Sequence, residues 1–161
     1  MELLNIINVK CNKYLDNIMS ETENLNTVTR FIENVCNKGE LDEIDELFSE
    51  DIVWHSGEMV TGVTDFKESM KETLKTWADM KFKIQDSFAA DNKVVIRWIV
   101  TATHEGEFMG IPPSHEKFDT WGIEIFHFES GKIKEAWTVF DALTPAMKIG
   151  LVEAVVPPNS K

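Results

Sequence analysis

Arginine is scarce: Arg30 and Arg97 are the only two in 161 residues, and the net charge is −12. So acidic a chain repels a phosphate backbone and an anionic lipid surface, and neither nucleic acid nor a membrane is expected as a partner. Cysteine is scarcer still in useful patterns. Cys11 and Cys36 lack the spacing of a metal site, and each falls on the apolar stripe of an expected helix. They read as buried free thiols, which suits a reducing, cytoplasmic setting. No apolar run approaches the roughly 18 residues of a transmembrane helix. The opening "MELLNIINVKCNK" mixes an acid and lysines into its apolar positions, so it does not read as a secretory leader. The four histidines show no H-x-H or H-x₃-H spacing, so no metal site is expected. G-x-S-x-G, phosphate-binding and dinucleotide-binding glycine motifs are absent, as are internal repeats.

What is present suffices for one globular domain, since 43% of the residues are hydrophobic and can fill a core. Residues 3–19 place Leu4, Ile7, Cys11, Tyr14 and Ile18 on one helical stripe, and 20–26 ("SETENLN") read as a polar linker. The next segment sets Val28, Phe31, Ile32, Val35 and Cys36 at helical spacing, with Gly39 as a stop. A short helix is expected at 41–48, a short strand at 51–55, and a helix from 65 to about 79 capped by Thr64. After Met80 the apolar period changes to two. Strands follow around Phe82–Phe88, over 93–104, and over "KFDTWGIEIFHFE" and "KIKEAWTVFDAL", the last two joined at Ser130-Gly131. Thr144-Pro145 then starts a short final helix. Helices first and a meander afterwards is α+β order. The expected fold is a cone-shaped barrel: a curved antiparallel sheet with helices on its concave face, plus an extra N-terminal helix. Residues 27–80 should be mainly helical and 81–143 sheet. The mouth of such a cone is a natural small-molecule pocket.

The segments "THEGEFMGIPPS", "SGKIKEAWTVFDAL" and "KIGLV" resemble the SnoaL-like polyketide cyclases of the nuclear transport factor 2-like superfamily. The family pattern is T-H-x-G-x-x-x-G-x-P-P-T, then D-G-K-I-x-E-x-W-x-x-x-D, then Q-L-G. The resemblance covers residues 27–152, leaving 1–26 as a helical extension with linker and 153–161 as a tail. It implies a cone-shaped α+β barrel, an interior pocket for a hydrophobic small molecule, a homodimer, and no cofactor. The cyclases of this family close a ring by intramolecular aldol condensation, with an aspartate as acid/base directly after the position of Trp137. Here that position is Thr138. A histidine that assists in the family falls on Glu124, and a glutamine falls on Gly122.

Glu124 stands among Ile123, Ile125 and Phe126 in a strand. With a three-residue turn at Ser130–Lys132, Glu124 faces Thr138, Phe126 faces Ala136, and Gly122 faces Phe140. The opposite face pairs His127 with Glu135 and Ile125 with Trp137. A two-residue turn would slip the register and swap the faces. Burial would raise the Glu124 pKa toward the range of acid/base catalysis; the alternative is a solvent-facing charge. Asp141 is a second catalytic candidate, or else it bonds backbone amides near the final helix. His104 is a third, or else it bonds the 105–116 loop. Trp54, His55, Trp98, Phe126 and Thr138 are candidate ligand contacts, with Trp54, Trp98 and Phe126 serving equally well as core. His127 and Glu135 form an expected surface ion pair, and Arg97 faces outward. The outer face carrying Ile125, Trp137 and Val139 is the expected dimer surface. Three functions remain open. One is a cofactor-free enzyme transferring a proton beside a carbonyl, with Glu124 as acid/base. Another is a non-catalytic hydrophobic ligand-binding protein. The third is an epoxide-type hydrolase of the same superfamily, which needs an Asp-Arg-Asp arrangement.

Overall fold

Alternation of apolar and polar residues dictates the sheet. In the strand Lys93–His104 the even-numbered residues are buried, and in Lys117–Glu129 the even-numbered residues are buried again. A strand sends successive side chains to opposite faces, so one face of the sheet is core and the other is not. The computed structural model describes residues 20–153. The stripe from Leu4 to Ile18 and the tail beyond residue 153 lie outside the described residues.

Residues 20–38 are helical (α1), so the expected polar linker at 20–26 is helix instead. Within α1, Phe31–Cys36 form a π-helical turn that buries Phe31, Ile32, Val35 and Cys36. Then come α2 (Glu43–Leu47), β1 (Phe48–Ser56), β2 (Glu58–Thr61), α3 (Val63–Thr76), β3 (Trp77–Ala90), β4 (Lys93–His104), β5 (Lys117–Glu129), β6 (Lys132–Phe140) and α4 (Leu143–Lys148). The six strands form one open, curved sheet in the order β2-β1-β6-β5-β4-β3. It is antiparallel except that β1 runs parallel to β6. The α+β expectation holds. The helical stretch 27–80 is interrupted by β1 and β2, and β3 starts at Trp77, where helix had been expected to about 79. Thr64 does not cap α3, whose N-cap is Gly62 at φ 90°.

The concave face is filled by aromatic rings. Phe31 of α1 meets Phe48, Trp54 and Phe126 with ring centroids 5.1, 5.7 and 6.3 Å away. Phe66 of α3 stacks on Trp54 at 4.8 Å. These rings seal one end of the cone: Phe126, Ala136, Ile96 and Val94 are each fully buried. The C-terminal end of α1 is stitched to the sheet edge by Asn37. Its Nδ2 donates to the Phe82 carbonyl at 3.1 Å, and its Oδ1 accepts from the Phe82 N–H at 2.7 Å.

The β5–β6 register is the expected one, with Glu124 opposite Thr138 and Ile125 opposite Trp137. The turn is not. Only Ser130 and Gly131 lie between the last paired residues, both at positive φ (51° and 80°). Two successive positive φ values are the signature of a type I′ hairpin turn, whose twist suits the strands. A register shift between His127 and Phe128 restores the pairing that such a turn alone would have slipped.

Candidate functional site

Glu124 is on the interior face. Its neighbours on that face of β5 are Gly122 and Phe126, and across the strand pairs lie Ile96 on β4 and Thr138 on β6. The side chain is 5% exposed. Thr138 Oγ1 donates to Glu124 Oε1 at 3.3 Å. Oε2 is buried without a hydrogen-bond partner, and so is the indole Nε1 of Trp98. Desolvation therefore dominates and pushes the carboxyl up to about 8. The donors of Thr138 and Trp98 act in the opposite direction and are outweighed. The indole favours the ionised carboxyl by its proximity, although the two groups do not meet in hydrogen-bond geometry. Glu124 is accordingly a neutral acid at pH 7.

Cys36, at the end of the π-helical turn, is near enough to feel the charge of this carboxyl. Burial pushes its thiol well up and Glu124 adds to the effect, so it is an uncharged wall rather than a nucleophile. Trp98 is diagonal to Glu124 across β4 and β5, opposite Gly122. A Cβ on Gly122 would come within 2.5 Å of Trp98 Cζ2 and 2.8 Å of the Val139 carbonyl oxygen. The indole thus lies in the space that any other residue would fill. Phe82 meets it edge-on at 4.9 Å, and Phe140 lies at 6.5 Å. The face opens toward the end of β6: Ala136 is sealed, Thr138 is half-buried, and Phe140 is exposed.

The other sequence candidates are distributed elsewhere. His104 is fully buried at the end of the same interior row as Ile96 and Trp98. It is eight residues beyond Ile96, the partner of Glu124, or about 27 Å along the strand. Its Nδ1 accepts from the Ser114 backbone N–H at 3.2 Å and pairs with Ser114 Oγ at 3.0 Å. It ties the 105–116 loop to β4, the second of its two sequence readings. Asp141 lies past the end of β6 and bonds α4. Its Oδ1 accepts from the backbone N–H groups of Leu143 (3.1 Å) and Thr144 (3.2 Å), and its Oδ2 from Thr144 Oγ1 (2.5 Å). These donors, first the Thr144 hydroxyl, hold its carboxyl below the usual range. Asp141, rather than Thr144, thus supplies the cap, and α4 begins at Leu143. Glu124, Asp141 and His104 are not assembled into one constellation.

Trp54 and Phe126 are buried in the aromatic core. His55, one residue from Trp54, points to the opposite face. It stacks on Trp137 at 5.0 Å and bonds Glu135 Oε1 through Nε2 at 2.9 Å. It does not line the interior with Trp54, and it takes the Glu135 partner expected for His127. His127 meets the edge of Trp137 instead, at 4.6 Å. Arg97 faces outward and pairs with Asp86 at 2.6 Å. Arg30 pairs with Glu43 and Glu46 on the helical surface, so neither arginine forms an Asp-Arg-Asp arrangement. Concavities of about 440 and 230 Å³ lie away from Glu124. The first is lined by Arg97, Ile99, Asp119 and Trp121, the second by Asp79, Thr101 and Lys117. Sequence reading missed Gly122 as the seat of Trp98. A glycine inside a strand of β-branched and aromatic residues was the available signal. Among the described residues there is no cluster of three metal-ligating side chains, and no helix is long and apolar enough to cross a membrane.

A family model described as SnoaL-like polyketide cyclase matches residues 26–149. No curated protein matches the chain. Among solved structures, AclR, a candidate hydroxylase from Streptomyces galilaeus, is 28% identical with a TM-score of 0.75. That match covers 86% of this chain and 87% of AclR. IdmH, a candidate polyketide cyclase from Streptomyces antibioticus, is 26% identical with a TM-score of 0.67, covering 79% of this chain and 98% of IdmH. A candidate polyketide cyclase from Bacillus cereus is 26% identical with a TM-score of 0.68, covering 81% and 83%.

Proposed function

Since the chain belongs to the SnoaL-like polyketide cyclase family, we propose that it is a cofactor-free, cyclase-type enzyme with Glu124 as the proton-transfer group beside a substrate carbonyl. One observation carries this reading: a carboxyl 5% exposed, with a pKa of about 8 and one oxygen unpaired. A buried acid with an unpaired oxygen is costly to the fold and is of use to chemistry near neutral pH. Glu124 Oε2–H gives its proton to the carbonyl oxygen, and the carboxylate so formed removes a proton from the adjacent carbon. The net change is ketone to enol with the acid restored. The enol carbon is then the nucleophile for an intramolecular aldol closure onto a second carbonyl. Thr138, at the family's aspartate position, cannot be the base; it holds Oε1 and so orients the carboxyl.

The substrate is a hydrophobic small molecule entering past Thr138 and Phe140. The outer face exposes Trp121 (52%), Ile123 (40%), Ile125 (37%) and Val139 (75%), a contiguous patch that a homodimer would cover. Light scattering should give twice the chain mass at micromolar concentration, and monomer mass throughout would remove the dimer. The function itself is tested with Glu124→Gln, which keeps shape and removes the acid. Turnover of a cyclisable polyketide ester should disappear while the fold stays intact. Retained ligand binding with no turnover by either protein would favour the non-catalytic binding reading.

A further inference from the structure

The interior row of β4 runs on past the point where the face opens. Trp98 is level with Gly122 and Phe140, where β6 ends, and His104 lies six residues further along β4, about 20 Å. The loop 105–116 that follows therefore stands at the open end of the interior face. Its first leg is pinned to the end of α3. The Glu105 and Gly106 N–H groups donate to the Thr76 carbonyl at 3.0 and 3.1 Å, and a Cβ on Gly106 would come within 2.7 Å of Thr76 Cα. Its tip is one rigid piece, because Phe108 and Ile111 exchange backbone hydrogen bonds across Met109-Gly110, both at positive φ. Phe108 rests on Trp77 at 5.0 Å, and Trp77 on the His104 ring at 5.1 Å.

The second leg hangs on one imidazole. His104 is fully buried, and its Nδ1 accepts from the Ser114 backbone N–H at 3.2 Å. A ring nitrogen that accepts carries no proton, so the neutral ring holds its proton on Nε2, which is buried without a partner. A second proton has to go on Nδ1, where it meets the Ser114 N–H donor against donor. Ser114 Oγ, at 3.0 Å, can take that proton, but the backbone N–H then loses its acceptor. We propose that His104 is an acid-released latch, and that residues 107–114 are the flap it holds over the entrance to the interior face. The latch stands on the loop geometry alone; that it gates a substrate rests on the reading of Glu124 given above. The base of the loop does not titrate. There the His115 N–H donates to the His104 carbonyl at 3.0 Å and the His104 N–H to the Glu116 carbonyl at 3.1 Å, so the flap turns about His115 rather than detaching. No charged side chain bonds the ring. Of the charged groups on the elements around it, Glu105 pairs with His115 at 2.9 Å, Lys75 of α3 pairs with Glu72, and Glu107 is exposed. Asp79 of β3 and Lys117 of β5 line the concavity of about 230 Å³. The His115–Glu105 pair responds in the opposite sense, since charging His115 tightens it, but with His115 71% exposed it counts for little.

Nitrogen NMR of the wild-type protein reads both ends of the latch, with the His104 ring assigned through its bonds to its own backbone. In mild alkali the ring should be the Nε2–H tautomer. Acidifying from about pH 8 to about pH 5, the span over which imidazoles charge, should protonate the ring and move the Ser114 amide proton upfield with the same midpoint. Over that span the hydrogen-exchange protection of residues 107–114 should fall about tenfold, the loss of one hydrogen bond, while that of β4 holds. His104→Gln, whose amide oxygen accepts from Ser114 without titrating, should keep the flap closed throughout. His115→Gln should keep the wild-type response. A ring with its proton on Nδ1, a ring still neutral at about pH 5, or a ring that charges while Ser114 stays still each overturns the latch, and none needs a substitution to be seen. Loss of flap protection in His104→Gln equal to that of wild type also overturns it. The Glu124 reading is judged apart, by turnover: a flap that opens as stated, with no turnover of a cyclisable ester by wild type, upholds the latch and overturns the cyclase reading.

Discussion

Two carboxylates of the β5–β6 hairpin have opposite fates. Glu124 lies inside the sheet with one donor at 3.3 Å and an unpaired oxygen. Asp141 lies beyond the strand end, half-buried, with three donors on its two oxygens. The first is driven up to about 8 by desolvation, the second is drawn down by the Thr144 hydroxyl and the backbone N–H groups of α4. The chemical group is the same. What differs is whether the fold supplies donors in proportion to the water it removes. At Asp141 the donors make a cap, a structural device. At Glu124 the shortage makes a neutral acid, which is of use for proton transfer.

The largest effect should come from removing the interior acid. Glu124 ionises near 4.5 in the unfolded chain and near 8 in the folded one. Between those values the folded state holds a proton that the unfolded state has lost, so stability falls as pH rises and levels off above about 8. The whole loss is on the order of 5 kcal/mol. Glu124→Gln should abolish that slope, matching wild type in acid and exceeding it by about 3 kcal/mol at pH 7. Urea titrations across pH measure this. Parallel curves for the two proteins would make Glu124 an ordinary surface acid.

Next is the wall beside it. Gly122→Ala places a methyl against Trp98 and the Val139 carbonyl. It should cost about 1–3 kcal/mol by overpacking and shift the indole emission of Trp98. At the other carboxylate, Asp141→Ala should lower the melting temperature by less than Gly122→Ala does. Its sign with pH is opposite to that of Glu124. The folded pKa is depressed, so the contribution is present above about 3.8 and lost as pH falls through the folded value. Turnover should survive. The smallest effect is expected on the outer face, where Glu135→Gln loosens a half-exposed pair with His55 that still stacks on Trp137. A change under about 1 kcal/mol is expected by urea titration.

Much of this was legible without coordinates. The period of two within each strand put Trp98 on the apolar face of β4 and Glu124 on one face of β5 with Phe126, while the inward placement of Glu124 drew also on the turn register and the family resemblance. The same rule separates Trp54 from His55, and applying it strictly would have put His55 outside with Trp137. Local pattern failed where two errors cancel. Ser130-Gly131 make a two-residue turn, and an extra residue on β6, Lys134 between the partners of His127 and Phe128, restores the register that a three-residue turn would give. A bulge has no composition of its own; the fit of both strand faces to their surroundings selects it.

By itself the sequence determined the α+β order, the acid in the apolar strand, and the threonine where the family carries an aspartate, because these depend on residue type and spacing along one chain. The distance of His104 and Asp141 from Glu124, the parallel pairing of β1 with β6, and the meeting of Trp98 with Glu124 over Gly122 were decided only in three dimensions. Each depends on which strands become neighbours and how far along one another they lie. That is set by burying the aromatic core as a whole, not by any stretch of the chain.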